Sequence, residues 1–516
     1  MILKNMKYIY LFFLLLAQFG FSQTPTVEWQ KCLGGTSYEL AKSIQSTTDG
    51  GYIIAGSAYS ANGDVVGNHG AYDAWIVKLS SNGTLEWQKA LGGTSDDYAN
   101  SIRQTTDGGY VVAGYTNSIN GDVSGNHGSN DLWVVKLSNS GLIEWQKALG
   151  GTSSELANSI QQTADGGYIV AGYTFSSNGD VTGFHGGFVT DVWIVKISSI
   201  GVLEWQKALG GTDYDEVFSI QQTTDGGYIG AGFTGSTNGD VTGNHGNRDA
   251  WVVKLSSSGS LEWQKALGST NNDLANSIRQ TLDGGYILAG YAGANNGDVS
   301  GNHGSNDAWI AKLSSSGIVE WQKSLGGTDV DIANSIQQTM EGGYIVAGYT
   351  ISINGDVSGN HGSRDAWVVK LDALSILQWQ KTLGGTADDY ANCIQQTADA
   401  GFIVAGLTNS IDGDITSNHG GNDAWIVKLG PDVLAISTFT AHQIKLFPNP
   451  AATVLKVHDA FNLGFDKIIV TDLTGKKVLE QEQSSNQINV ENLAGGMYII
   501  QVFSGKEMFT GKFVKE

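Results

Sequence analysis

Tryptophan recurs along this chain with a fixed period, and that period constrains the fold more than any other feature. In the setting "WQK" it stands at Trp29, Trp87, Trp145, Trp205, Trp263, Trp321 and Trp379, in steps of 58 residues with one step of 60. A second series, in settings like "DAW", stands at Trp75, Trp133, Trp193, Trp251, Trp309, Trp367 and Trp425, and the two series use all 14 tryptophans. Such self-similarity marks a supersecondary unit that cannot bury its apolar surface alone and stacks on copies of itself.

Each unit reads as four strands, for example "ANSIRQT" (A), "GGYVVAGYT" (B), "DLWVVKLS" (C) and "LIEWQKALG" (D). β-Branched and aromatic residues fill the strands, while Gly, Asn, Asp and Ser fill the joints. "TTDGG" and "SNSG" are hairpin turns, since Gly accepts positive φ. No segment of the mature chain carries a helical period. The four prolines, Pro25, Pro431, Pro448 and Pro450, all lie outside the array, where a missing N–H would break a ladder. The tryptophans are expected to be core residues that hold unit to unit, rather than sugar platforms.

The phase of the array says how it ends. It opens on a D element, "TVEWQKCLGG", and stops on a C element, "NDAWIVKLG", so the last unit lacks the strand with which the chain begins. A ring closes when the two ends pair. This arrangement resembles an all-β, seven-bladed β-propeller over residues 26–430, with four-stranded blades and the N-terminal strand closing the last one. A linear solenoid, the rival, needs capping units and has no reason to end out of phase. In the closed ring Cys32 and Cys393 would sit on opposite edge strands of one blade, roughly 14 Å apart at about 4.8 Å per strand, which predicts two free thiols.

Fifty acidic residues against 29 basic ones give a formal charge of −21, which opposes nucleic-acid backbones and anionic lipid surfaces and leaves cations or neutral ligands as partners. Lys4 and Lys7 precede an apolar run from about Ile9 to Leu16 and the stretch "AQFGFSQ", the layout of a signal peptide over residues 1–22. No other apolar run approaches membrane-spanning length, so the mature chain is expected to be exported and to have no transmembrane segment.

After residue 430 the repeat gives way to a linker, 431–443, and then to short alternating strands over 444–516 that fit a small β-sandwich. This last segment carries "PNP" (Pro448, Asn449, Pro450), "TDLTGKKV" with Asp472, Gly475 and Lys476, "LAGGMY" with Gly496 and Tyr498, and a terminal "KFVKE" beginning at Lys512. These ordered motifs closely resemble the type A C-terminal sorting domain of Bacteroidota-type type IX secretion systems. The resemblance implies Sec export, passage across the outer membrane by the type IX machinery, removal of this domain, and release from or attachment to the outer cell surface.

The candidate chemistry lies in the B-to-C loop, written "NGDVSGNHGSNDAW" at residues 296–309. It places Asp298, His303 and Asp307 in one glycine-rich segment, and near-copies stand at Asp64/His69/Asp73, Asp122/His127/Asp131, Asp180/His185/Asp191, Asp240/His245/Asp249, Asp356/His361/Asp365 and Asp414/His419/Asp423. Oxygen ligands at short spacing suit Ca²⁺, and the imidazoles would suit a transition metal, although no complete EF-hand frame occurs. The same residues also suit a closed turn, with each Asp capping its own loop and each His bonding a neighbour. A further acid at Glu39, Asp97, Glu155, Asp215, Asp273, Asp331 or Asp389 sits in each D-to-A crossing, so one face is expected to concentrate the negative charge.

Seven equivalent loops favour a repeated structural job, since an enzyme needs one asymmetric constellation with pKa values pushed apart. GxSxG, HExxH and CxxC are absent. The function expected is therefore a secreted or surface-displayed, non-enzymatic propeller that binds an extracellular glycan or protein, or acts as a scaffold. The alternative is an extracellular hydrolase or lyase acting on polysaccharide, with or without calcium. Its site would use departures from the repeat, such as "FHGGFVTDV" at 184–192, Arg248 or Arg364.

Overall fold

The computed structural model describes residues 24–432 and, beyond them, 445–458, 466–472, 476–482, 486–504 and 507–516. The expected signal peptide, most of the linker and Gly475 of the sorting motif lie outside the described residues. The chain divides between Val433 and Leu434, inside the expected linker.

Up to Val433 the strands form seven four-stranded antiparallel sheets. In blade 1 they are A (Glu39–Ser46), B (Tyr52–Ala58), C (Asp73–Leu79) and D (Leu85–Leu91), paired in that order. Strand A of blades 2 to 6 opens at Asp97, Glu155, Asp215, Asp273 and Asp331. Blade 7 takes A (Asp389–Gln396), B (Phe402–Thr408) and C (Asp423–Leu429) from the end of the array, and Val27–Leu33 as its strand D. Cys32 lies opposite Trp425 and Leu33 opposite Ala424, so the ring closes as the phase requires.

Strands B and C are buried almost throughout because their alternate residues face the two neighbouring blades, which turns them into near-continuous apolar runs. Ile403, Ala405 and Ile426 of blade 7 share one core cluster with Ile44, Ile54 and Trp75 of blade 1. Strand A is the inner edge. Its serine bridges to the next strand A around the ring, as in Ile102 N–H donating to Ser43 Oγ (3.3 Å) and Ile160 N–H to Ser101 Oγ (3.3 Å).

The "DAW" tryptophans are core residues, 0–2% exposed. Each of their indole N–H groups donates to the strand D glutamine, as Trp75 does to Gln88 (2.8 Å), and Trp425 repeats the bond to Gln30 across the closure (2.8 Å). The "WQK" series corrects the expectation of a fully buried set: Trp379 is buried, but Trp29, Trp87, Trp145, Trp205, Trp263 and Trp321 are half-buried. Strand D is the outer edge, so one ring face is covered by the next blade and the other stays wet. Trp29 meets Tyr52 edge-on at 5.8 Å and lies over the turn at Gly83, where an added Cβ would come 2.9 Å from the ring. Cys32 and Cys393 are free thiols on opposite edges of blade 7.

A ring of buried lysines near the end of strand C completes the frame. Lys254 is 2% exposed, donates to the Leu255 carbonyl (3.1 Å) and pairs with Asp225 (3.0 Å) and Glu262 (3.1 Å). Burial of an ammonium is tolerated because every donor has an acceptor.

The C-terminal unit is the expected sandwich. A three-stranded sheet (Lys445–Phe447, Val454–His458, Gln487–Asn489) and a four-stranded one (Lys477–Glu482, Lys467–Thr471, Gly496–Ser504, Glu507–Lys515) share a core that includes Leu455, Val457, Ile468, Val470, Ile500 and Phe513. Its signature residues tie its turns and strand ends together. Asn449 donates to the Lys512 carbonyl (3.2 Å) and accepts from Val514 N–H (2.8 Å), which ties "PNP" to the terminal strand. Tyr498 stacks on Phe513 and its hydroxyl donates to Ala494 (2.9 Å), while Asp472 accepts from Lys476 N–H (3.1 Å).

Candidate functional site

The loop 296–309 shows how each B-to-C loop is built. Asp298 N–H donates to the Gly268 carbonyl (2.8 Å), and its side chain accepts from Gly268 N–H (3.2 Å), which sews the "NGD" turn to the crossing that enters the blade. Asn302 donates to the carbonyls of Ala292 (2.9 Å) and Ser305 (3.1 Å) and accepts from Gly304 N–H (3.1 Å). His303 reaches Asp307 Oδ2 with both its backbone N–H (2.8 Å) and Nδ1 (2.7 Å). The same His–Asp pair recurs in every blade, from His69/Asp73 at 2.6 Å to His419/Asp423 at 2.6 Å.

The three residues grouped by the sequence do not form one cluster. Asp298 faces backward, 3.9 Å from His245 Nδ1 of the preceding loop, and the same backward approach brings Asp240 to 3.8 Å from His185 Nε2. Asp307 faces its own histidine and the following blade. The physical unit is therefore an inter-blade seam that joins the His–Asp pair of one blade to the crossing acid and the "NGD" aspartate of the next. Gly268 shows the closeness: an added Cβ would lie 2.7 Å from Asp273 Oδ2 and 3.0 Å from Asp249 Oδ1. Among the described residues no group of three or more His, Cys, Asp or Glu side chains is disposed to hold a metal ion.

Burial corrects the expected charge display. The acids that open strands A and C are 0–1% exposed in every blade, so only the "NGD" position reaches water, as Asp298 does at 34%. Burial raises the pKa of Asp73, Asp131, Asp191, Asp249, Asp307, Asp365 and Asp423, against the hydrogen bonds from their histidines. Oδ1 of these aspartates has no hydrogen-bond partner among the described residues. The crossing acids act as staples; Asp97, for instance, accepts from Gly93 N–H (2.8 Å) and from the hydroxyls of Thr116 and Ser118.

The asymmetry of the loop face lies elsewhere, at the second residue of strand A, the sixth of strand B and the residue before strand C. Tyr72 of blade 1 stacks on Tyr98 of blade 2 (5.1 Å between centroids, 30°), and Tyr98 stacks on Tyr115 (4.7 Å, 20°). Tyr59 extends the run, 5.0 Å from Tyr72 and 47% exposed. In blade 4 Arg248 lies 4.6 Å over Phe233 beside Glu216, whose carboxyl is pushed up to about 7 by burial, with Arg248 pulling the other way. Arg364 pairs with Asp388 (3.0 Å) and lies about 6 Å from the rings of Tyr349 and Tyr390. In the "FHGGFVTDV" loop Phe188 is 95% exposed. The tyrosines escaped a reading centred on what repeats. Their signal is the variation at the strand A position occupied by Leu40, Tyr98, Leu156, Glu216, Leu274, Ile332 and Tyr390.

Residues 445–516 match the family described as the secretion system C-terminal sorting domain. The regulatory protein FlaEY of Caulobacter vibrioides is 26% identical over 185 residues, which cover 33% of this chain and 19% of that protein, so the match spans about a fifth of its length. Among solved structures, the Pan2 WD40 domain of Neurospora crassa aligns with a TM-score of 0.43 at 10% identity, covering 77% of this chain and 95% of that one. PorZ, an essential bacterial surface component of the type IX secretion system of Porphyromonas gingivalis, aligns at 0.32 and 12% identity, covering 91% and 64%. The chain is thus a seven-bladed β-propeller carrying a type IX secretion sorting domain. Among the described residues no helix is long and apolar enough to cross a membrane.

Proposed function

We propose that the propeller is an exported, non-enzymatic binding module whose ligand is an extracellular carbohydrate, held on the tyrosine stack of blades 1 and 2. The observation that carries this reading is the run Tyr59, Tyr72, Tyr98 and Tyr115, partly open to water on the loop face. Aromatic rings offer large contact area at low entropic cost and carry a polar tip, which suits the apolar faces and hydroxyls of sugar rings. Loops on a rigid scaffold are where such sites are usually built. The His–Asp pairs do not compete for this role, because every blade uses them to close the same loop. Delivery to the outside follows from the sorting domain.

A panel of extracellular polysaccharides in affinity electrophoresis tests the reading, with Tyr98→Ala and Tyr115→Ala beside the parent chain. Retardation by at least one polysaccharide is expected, weakened about tenfold by either change, since a stacked ring contributes about 0.5 to 1.5 kcal/mol beyond the area it buries. Retardation that both variants keep in full sinks it.

Glu216 favours a second reading, an enzyme acting on polysaccharide. A carboxyl titrating near 7 next to a guanidinium is a candidate general acid. Turnover of a polysaccharide that disappears in Glu216→Gln would replace the binding-module reading with this one.

A further inference from the structure

At the far end of the strands from the loop face, the inner strands meet in a ring of glutamines. Gln45, Gln161, Gln221, Gln337 and Gln395 each accept from the N–H that ends the next strand A, at Gln104 (2.7 Å), Gln222 (2.7 Å), Gln280 (3.0 Å), Gln396 (2.9 Å) and Ser46 (2.7 Å). Blades 2 and 5 break the ring with Arg103 and Arg279. Both arginines line one cavity of about 400 Å³, with strand A residues of six blades around it. Since strand A is the inner edge of every blade, this cavity lies on the propeller axis. It opens beside Leu282 and Met340 in the A-to-B turns, at the opposite end of the strands from the B-to-C loops.

The two guanidiniums are held alike. Nη1 of Arg103 donates to the Ile102 carbonyl (2.7 Å) and to Ser43 Oγ (3.3 Å); Nη1 of Arg279 donates to the Ile278 carbonyl (2.8 Å) and to Ser219 Oγ (3.0 Å). No Asp or Glu lines the cavity, and among the described residues neither arginine has a carboxylate within 4.0 Å. The contrast within the same molecule is sharp, because each buried lysine of the repeat is flanked by acids, as Lys254 is by Asp225 and Glu262. In a chain with 50 acidic residues, two like charges share one half-open cavity without one. Desolvation lowers both arginines, and the Arg103 charge adds to the lowering of Arg279, to about 10; a guanidinium stays charged at neutral pH. Like charges sharing a partly desolvated cavity repel, and a bound anion removes that penalty.

We propose that this axial cavity is an anion site that holds a small oxyanion of the sulfate or phosphate class between Arg103 and Arg279. The free edges of two planar donor forks suit a tetrahedral oxyanion, and the surrounding carboxamides add neutral donors. The proposal is independent of the carbohydrate reading, whose residues lie on the loop face.

The test uses the full chain and the variant Arg103→Gln/Arg279→Gln, which restores the residue found in the other five blades and so preserves the ring. Sulfate and phosphate are titrated calorimetrically at constant ionic strength against chloride, with a sulfated monosaccharide in parallel to separate a free anion from one carried on a larger ligand. Saturable binding of either form near one per chain is expected, weakened about tenfold or more in the variant, as loss of charge-assisted hydrogen bonds implies. In chloride alone the variant should melt above the parent chain, and in saturating anion that order should reverse. Absence of saturable binding, or equal affinity in the two proteins, overturns the proposal.

Discussion

At the scale of single residues, the strongest demands fall on positions that look unremarkable in the sequence. The glycine of "AGY" sits in the middle of strand B, opposite a bulge in strand A. An added Cβ at Gly290 would come 1.8 Å from the Leu274 carbonyl oxygen, closer than any side chain can be placed. Gly290→Ala is therefore expected to destabilise the array by several kcal/mol, on the order of 3 or more, measured by urea unfolding. A loss below about 1 kcal/mol would show that the bulge relaxes freely. The His–Asp pairs were legible as turn chemistry because they are local, whereas the exposure of each acid was not. A carboxylate four residues from its histidine can be inside or outside, and only the packed neighbour blade decides which.

At the scale of elements, strands B and C reveal themselves by continuous apolar runs, and the out-of-phase ends reveal how the ring shuts. Strand Val27–Leu33 supplies Gln30 to Trp425 and brings Cys32 and Leu33 into buried positions. A chain lacking residues 24–33 would leave strand C of blade 7 as an open apolar edge. It should lose on the order of 5 kcal/mol and associate in solution, and a peptide of those residues should restore the monomer and its melting temperature. Size-exclusion profiles and melts that match those of the intact chain would contradict closure by this strand. The "WQK" tryptophans show the limit of reading elements in isolation. Strand D carries a tryptophan as strand C does, yet its place on the outer edge leaves six of these rings half wet.

At the scale of the whole molecule, two sets of carboxyls oppose each other in pH. Burial raises the seam aspartates, takes Asp215 to about 6 and takes Glu216 to about 7. These groups bind protons more tightly folded than unfolded, so their stabilisation is complete below about 4 and disappears as pH climbs through the folded values. The turn aspartates Asp49, Asp107, Asp165, Asp225, Asp283 and Asp399 behave in the opposite sense. Desolvation pushes them up, but bonds from a threonine hydroxyl and a glycine N–H, together with the buried lysine, hold them at about 2. Their contribution is present above about 4 and is lost as pH falls toward 2. Melting temperature should therefore peak near pH 4 and decline toward about pH 7, with Glu216→Gln flattening the decline. A steady rise from pH 4 to 8 would refute the balance.

Period, strand alternation and turn chemistry act over a few residues, so the sequence by itself determined the number of blades, their four strands, the closing strand and the separate terminal sandwich. Closing the ring places residues about one repeat apart along each seam, and brings Arg103 and Arg279 from distant blades to a common axis. Which acids are buried, which tyrosines stack and which cations lack a counter-charge depend on those long-range approaches. Only the tertiary structure decided them, because burial and Coulomb energy follow distance in space and not distance along the chain.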